Sequence, residues 1–299
     1  MLDQLAAAID RHCVGLGSDT KIPRLSLAAA DEPIEPTGLL YEPMICFVAD
    51  GAKRTTSGDL SQVAHAGEML LTTIDLPVGV DLEKIPYRSA VMQLDGRALA
   101  DLLVELDETG PPATTPAAAG QVSAPMTPEL LDAVTRWVGL LDTPEDIRPL
   151  APRIESEVLY RLLRSSLGAV LRQWSLADSA TSRVREVARW ICERYTEPLS
   201  IEAIAAVAHM SPASLHRHFK AATGMSPLKY QKHLRLQEAR RCLAAGDATA
   251  AQIAQAVGYV SATQFNREYR SAYGLPPGQD AARLRARLTH TRTATTRRA

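Results

Sequence analysis

GYVSATQFNREYR, residues 258–270, and HMSPASLHRHFK, residues 209–220, are two versions of one pattern. Each places a Ser after a short turn and then an apolar pair one helical turn apart, Leu215 with Phe219 and Phe265 with Tyr269. Such a pair faces a core, so in the first copy Ala213, His216, Arg217 and Lys220 face out. Phe265, Tyr269, Gly274 and Pro277 follow Leu215, Phe219, Gly224 and Pro227 by 50 residues, whereas Ile253 and Ala254 follow Ile204 and Ala205 by 49. A one-residue insertion in the turn, around Gly258 and Tyr259, accounts for the change of offset.

Ser200 caps the helix before the first turn, and Ser211 with Pro212 starts the helix after it, through a side-chain acceptor and a preset dihedral. Between the copies, SPLKYQKHLRLQEARRCLAA reads as one helix from an N-cap at Ser226 to a terminator at Gly246. Two short helices on a tight turn make a helix-turn-helix, whose second helix fits the DNA major groove. A connecting helix of about 20 residues is roughly 30 Å long, close to the ~34 Å groove repeat. Two reading helices are therefore expected to enter successive grooves on one face of a duplex.

The rest of the chain is different in kind. Up to Leu106 the signals are short apolar runs, MICFVA, EMLLTTI and YRSAVMQL, separated by Gly, Asp and Pro, which suit strands. GAKRTTSGDLSQVAHAGE reads as a hairpin turning at Gly58 and Asp59. A small antiparallel β-barrel or sandwich follows, since closure removes exposed edges, with LAAAID as a short helix outside it. Glu108 to Pro128 reads as a surface connection. Thr127 and Pro128 start a helix with Leu130, Val134, Trp137, Val138 and Leu141 on one side. A second helical stripe holds Ile154, Val158, Leu162, Leu163, Leu167, Val170 and Leu171; packing on the barrel and dimerisation are its two readings. The fold class is α+β: an N-terminal domain over 1–178 (barrel about 20–106, helices about 127–174) and an all-α domain over 179–299 with modules at about 199–224 and 249–274.

Charge divides the same way. Residues 1–180 carry 14 Lys or Arg against 26 Asp or Glu, a net −12, and residues 181–299 carry 19 against 8, a net +11. A basic, patterned half points to a polyanion partner for that half alone. With 46% hydrophobic but only 5% aromatic residues, the cores are built from Ala, Leu, Val and Ile. No run reaches the ~20 apolar residues of a membrane span, and Asp3 and Asp10 within the first apolar stretch argue against a signal peptide, so a cytoplasmic protein is expected. Cys13, Cys46, Cys192 and Cys242 form no Cys-x-x-Cys pair and read as buried reduced thiols.

SPASLHRHFKAATGMSPLKYQKHLRLQEARRCL and IAQAVGYVSATQFNREYRSAYGLPP resemble the paired modules of the AraC/XylS family of bacterial transcription regulators. The resemblance covers 183–288 and departs at Tyr269-Arg270, often Phe-Lys in the family, and at Pro276-Pro277. EPMICFVADGAKR, AGEMLLTTIDLPV and PYRSAVMQLD resemble the cupin-like N-terminal domain of a subset of the family. The resemblance implies double-stranded promoter DNA as partner, a nucleoid location when bound, a homodimer, a small-molecule effector at the N-terminal domain and, for an activator, RNA polymerase. Matched to the family's base-reading positions, Ala213, His216 and Arg217 in the first module and Ala262, Thr263, Asn266 and Arg267 in the second are the candidates. Arg can pair with guanine and Asn with adenine bidentately, and Ala or Thr can meet a thymine methyl. Ser211, Lys220, Ser261 and Arg270 are the phosphate candidates.

Catalysis, metal and cofactor are not expected. His216 and His218 stand two apart on a helix and diverge, the barrel region holds one His, His65, and no Gly-x-Ser-x-Gly or phosphate loop occurs. A metal-dependent cupin enzyme fused to a DNA-binding domain is the alternative, and an interaction module without a small ligand is a third reading.

Overall fold

The apolar runs at 44–49 and 87–93 lie in the two longest strands of the computed structural model, which describes residues 1–13, 15–34, 37–106, 120–175, 180–246 and 248–296. In chain order the elements are α1 (Leu2–His12), β1 (Ser18–Asp19), β2 (Leu25–Ala30), β3 (Thr37–Tyr41), β4 (Met44–Ser57), β5 (Leu60–His65), β6 (Glu68–Thr72), β7 (Leu76–Gln93), α2 (Gly96–Glu105) and β8 (Gln121–Pro125). Helices follow: α3 (Pro128–Gly139), α4 (Pro144–Leu163), α5 (Gly168–Ser175), α6 (Ala180–Arg194), α7 (Ile201–Val207), α8 (Pro212–Thr223), α9 (Pro227–Ala245), α10 (Ala250–Ala256), α11 (Ala262–Tyr273) and α12 (Pro277–Thr296). They form two compact units, Met1–Arg189 with Ala205–Ser226, and Trp190–Ile204 with Pro227–Ala299.

In the first unit all strands belong to one antiparallel sheet in the order β1-β2-β7-β4-β6-β8, with β3 on β7 and β5 on β4. The α+β class stands, but no ladder joins β1 to β8 among the described residues, so the expected barrel does not close. The reason lies in β4 and β7. They pair from Met44↔Gln93 to Thr56↔Gly79, with register shifts between Val48 and Lys53. Bulges bend paired strands, and each long strand changes its outer partner across the bend. Gly51 stands there at φ 75°, and a Cβ would lie 2.4 Å from the carbonyls of Lys84 and Pro86. β4 and β5 turn at Gly58 and Asp59, as the sequence predicts.

Alternation along β4 sends side chains to two buried faces. Ile45, Phe47 and Ala49 join a core with helices α1 to α5, in which Leu5, Ile9, Leu130, Trp137, Val158, Leu162 and Leu171 are buried. Cys46 and Val48 join a smaller cluster with Leu70, Leu82 and Tyr87 on the opposite face. The first helix stands outside the strands, as expected, and packs Leu5 and Ile9 into this core. The second helical stripe is likewise covered within its own unit, and it breaks after Leu163, so α4 and α5 are separate. Thr127 caps α3 as expected, accepting from Leu130 N–H. Of the stretch read as a surface connection, 108–119 lie outside the described residues and Gln121–Pro125 pair with β6 instead. Buried Gln121 explains this: its amide donates to Thr72 Oγ1 and accepts from Thr55 Oγ1, so its polar atoms are satisfied inside the sheet.

The second unit is built around α9, a helix of 19 residues unbroken from Pro227 to Ala245, about 28 Å long. Gly246 ends it at φ 100°. Gln231 and Arg235 donate to the carbonyls of Tyr195 and Glu197 just past α6, at 2.6–2.9 Å, satisfying acceptors that the helix end leaves open. Asp280, wholly buried, accepts from Arg240 of α9 at 2.8 Å, Tyr269 of α11 at 2.8 Å and its own-helix neighbour Arg283 at 2.9 Å. Burial by itself would raise this carboxyl, but the hydrogen bonds from Arg240, Tyr269 and Arg283 outweigh it and hold the pKa below the ordinary value. The folded value lies below the unfolded one of about 3.9, so the contribution is complete above about pH 4 and is lost as the pH falls through the folded value. Asp280→Asn should cost about 3 kcal/mol by leaving Arg240 uncompensated, and should flatten the acid limb of stability against pH in urea unfolding followed by helix dichroism.

Candidate nucleic-acid interface

The two turns are closed by the same bonds. Met210 N–H reaches Ala205 O at 3.1 Å and Tyr259 N–H reaches Ala254 O at 2.9 Å, and His209 N–H and Gly258 N–H bond the carbonyls of Ala206 and Gln255. These pairs all stand 49 residues apart. The register becomes 50 at Ser211 and Ser261, whose carbonyls accept from Leu215 and Phe265. The inserted residue is therefore Val260, one position beyond the expected place, and it is fully exposed. His209 and Gly258 share the left-handed corner, at φ 49° and 88°. Glycine is required at 258 on a second count, since a Cβ there would lie 2.2 Å from Thr196 O.

Each turn ends in a cap. Ser211 Oγ accepts from Ser214 N–H and Ser261 Oγ from Gln264 N–H, both at 3.3 Å, leaving each hydroxyl proton to donate outward. Leu215, Phe219, Phe265 and Tyr269 are wholly buried. Ala213, His216, Arg217 and Lys220 on α8, and Ala262, Thr263, Asn266, Arg267 and Arg270 on α11, are all exposed, with Ser211 and Ser261 at the helix starts. α11 rests on an aromatic ladder, Tyr259 to Phe265 to Tyr269 to Tyr273, with centroids 4.7–5.5 Å apart. Tyr259 Oη also donates to Glu268 at 2.8 Å, locking the turn to the helix it precedes. The side chains of Arg267 and Arg270 make no ion pair or hydrogen bond among the described residues, so both cations are available to a ligand.

α8 differs at its C-terminal end, which the first unit's own sheet holds. The carbonyls of Ala222, Thr223 and Gly224 accept from Gly120 N–H at 2.9 Å, Ser57 Oγ at 2.9 Å and Asp59 N–H at 3.2 Å. These are acceptors that a helix terminus cannot satisfy within itself. Three glycines permit the approach: a Cβ at Gly58, Gly120 or Gly224 would lie 2.3–2.4 Å from main-chain oxygen across the contact. Gly274, the counterpart of Gly224, has the same positive φ and nothing within 4 Å. Lys220 pairs with Asp59 at 3.5 Å, but both side chains are more than half exposed, so the pair contributes under about 1 kcal/mol. The three hydrogen bonds, at about 1 kcal/mol each, outweigh it. Sequence reading missed Ser57, Asp59 and Gly120, because a glycine that serves a turn and one that serves a contact look alike in sequence.

Among the described residues no three His, Cys, Asp or Glu side chains gather as a metal site would need, and His65 is exposed beside Glu68. None of the four cysteines is in a disulfide, and only Cys46 is fully buried. No described helix is long and apolar enough to cross a membrane.

Residues 21–170 match the AraC-type transcriptional regulator N-terminus, and residues 204–283 match a helix-turn-helix domain. The chain belongs to the AraC family of transcriptional regulators. It is 29% identical over 160 residues to the HTH-type transcriptional activator RhaS of Salmonella schwarzengrund (strain CVM19633), across 51% of this chain and 56% of that one. The chain thus spans just over half the length of this curated relative. A single-residue variant of apo ToxT from Vibrio cholerae strain SCE256 shares the fold of this AraC-family chain, with a TM-score of 0.54 at 11% identity over 90% of this chain and 99% of that one. ToxT from Vibrio cholerae O395 bound to (E)-4-(8-methylnaphthalen-1-yl)but-3-enoic acid does so with a TM-score of 0.52 at 9% identity over 87% and 98%.

The shared corner sets an asymmetric expectation. Gly258→Ala should destabilise the second unit by about 1–3 kcal/mol, through strain and the clash with Thr196, whereas His209→Gly should be neutral or stabilising. Thermal unfolding of the two variants checks both.

Proposed function

We propose that the chain is a sequence-specific regulator of transcription that binds double-stranded promoter DNA through α8 and α11, with residues 1–178 as the regulatory half and 179–299 as the DNA-binding half. The observation that carries this reading is the repeated helix that buries Leu215 and Phe219, or Phe265 and Tyr269, while exposing His216 and Arg217, or Asn266 and Arg267. Arg217 and Arg267 are the guanine readers, Asn266 the adenine reader, and Ala213, Ala262 and Thr263 the apolar contacts, with His216 beside them. Ser211, Lys220, Ser261 and Arg270 hold phosphates. The chain acts by binding rather than catalysis, in the cytoplasm and on the nucleoid.

Regulation runs through the attachment of α8 to the β4–β5 turn. An effector shifts a population only through differential affinity for two states, and here the states are α8 held and α8 released. ToxT has been solved with a small carboxylic acid bound, which supports a small-molecule effector for the regulatory half. A homodimer is part of this reading, with its interface elsewhere than the α4–α5 stripe, which the core already covers. RNA polymerase is a further partner if the regulator activates.

Binding sites selected from random DNA supply the test. Arg267→Ala should lose about 1–3 kcal/mol of discrimination at one base position, and an unchanged preferred site would remove Arg267 as a reader. Lys220→Ala should weaken all sequences alike and lower the salt slope by about 1. Asp59→Ala should raise affinity in wild type and do nothing in Lys220→Ala, as a double-mutant cycle of DNA binding would record.

A further inference from the structure

Where β2 and β3 part, the sheet leaves a cleft that neither DNA reading nor the core accounts for. β2 pairs with β7 over Tyr87–Met92 and β3 pairs with it over Leu76–Val80, and no ladder joins β2 to β3 among the described residues. A cleft of about 380 Å³ lies there, between residues 19–26 and residues 40–44. That volume is in the range of small-molecule sites. Its lining has two characters. Leu40, Met44 and Val91 form an apolar side, and Leu40 leaves 46% of its surface open to solvent. Asp19 and Glu42, both exposed, form an acidic rim.

Among the described residues Arg24 is the one cation in the wall, and it is already bound. Its Nε and Nη2 donate to Glu155 at 2.8 Å each, and its Nη1 donates to Asp95 at 3.1 Å. Two carboxylates around one guanidinium leave that corner negative as well. Arg24 stands at φ 64°, which residues with a Cβ seldom adopt, and its carbonyl accepts from Gln93 N–H at 2.9 Å. The Asp19 carboxylate makes no ion pair or hydrogen bond among the described residues, and that of Glu42 accepts only from the side-chain amide of Gln93. Lys53 lies behind the wall rather than in it. It donates to Tyr41 Oη at 3.4 Å and to Cys46 Sγ at 3.1 Å, with Tyr87 Oη 3.6 Å from the same sulfur.

We infer that this cleft binds a small organic amine, its ammonium held by Asp19 and Glu42 and its hydrocarbon part resting on Leu40, Met44 and Val91. An anion would meet two carboxylates and no uncommitted cation in the wall. A metal ion would need more donors than gather here, since no three His, Cys, Asp or Glu side chains come together among the described residues. An ammonium on an apolar body suits both sides of the cleft, because charge-assisted hydrogen bonds to carboxylates fix one end and burial of Leu40 favours the other. Bound in this way, the ligand bridges the β1–β2 and β3–β4 segments across the gap between β2 and β3. That the amine acts as an effector rests on the reading of residues 1–178 as the regulatory half; that it binds does not.

The experiment titrates the full chain, without DNA, with phenethylamine and with 3-phenylpropanoate, alike in hydrocarbon and opposite in charge, by calorimetry at neutral pH and about 0.15 M salt. The amine should bind at one site, and the acid roughly 10-fold more weakly or worse. Asp19→Asn with Glu42→Gln should weaken the amine roughly 10-fold or more, since both charge-assisted bonds are lost. Asp101→Asn with Glu105→Gln, exposed on α2, should leave its affinity unchanged. No heat from the amine, an acid that binds as tightly, wild-type affinity in the Asp19 and Glu42 variant, or an equal loss in the α2 variant would each overturn the inference. The comparison of amine with acid needs no variant, so it decides even if a variant fails to fold. With no DNA present, failure here leaves the base reading standing, and an unchanged preferred site in Arg267→Ala leaves this site standing.

Discussion

The antiparallel ladder between β4 and β7 is the constraint on which the first unit depends. Its length gives the sheet two buried faces, and its bend near Gly51 makes them unlike. One face is closed by five helices around a largely apolar core, while the other retains a lysine, a thiol and two phenols. The far end of the same ladder is the β4–β5 turn, which grips α8. A single pair of strands thereby supplies both buried faces and supports α8.

The two helix-turn-helix modules meet one geometric demand with different chemistry. Both need a left-handed residue at the corner, which His209 supplies against its preference and Gly258 without cost. The second module adds an exposed Val260 and an aromatic ladder behind α11, whereas the first is steadied by donors from the sheet domain. Stability of α8 and α11 thus comes from separate sources, intrinsic in α11 and borrowed in α8.

Much of this is legible in the sequence. The period of Leu215, Phe219, Phe265 and Tyr269 shows which helix faces are buried, and the caps at Thr127, Ser211 and Ser261 follow from local chemistry that tertiary context does not override. The α+β division is also readable, because MICFVA is too short for a buried helix and too apolar for a loop. Three things are not readable. Barrel closure depends on whether helices or strands cover the apolar face, and α1 looks too short to matter. Gln121 lies in a polar, Pro-flanked run, and its inward turn depends on Thr55 and Thr72, far away in sequence. Lys53 would ordinarily be assigned to the surface; only the fold brings Cys46, Tyr41 and Tyr87 around it.

The joint at the end of α8 is made from main-chain carbonyls at 222, 223 and 224, two main-chain donors and the hydroxyl of Ser57. Apart from the glycines that allow the approach, its geometry is indifferent to the identity of the outward residues on α8. On the proposed reading of α8, operator preference can therefore drift residue by residue while the tether to the sheet stays intact. Divergent promoters could be served by descendants of one chain without reinventing how the signal reaches them.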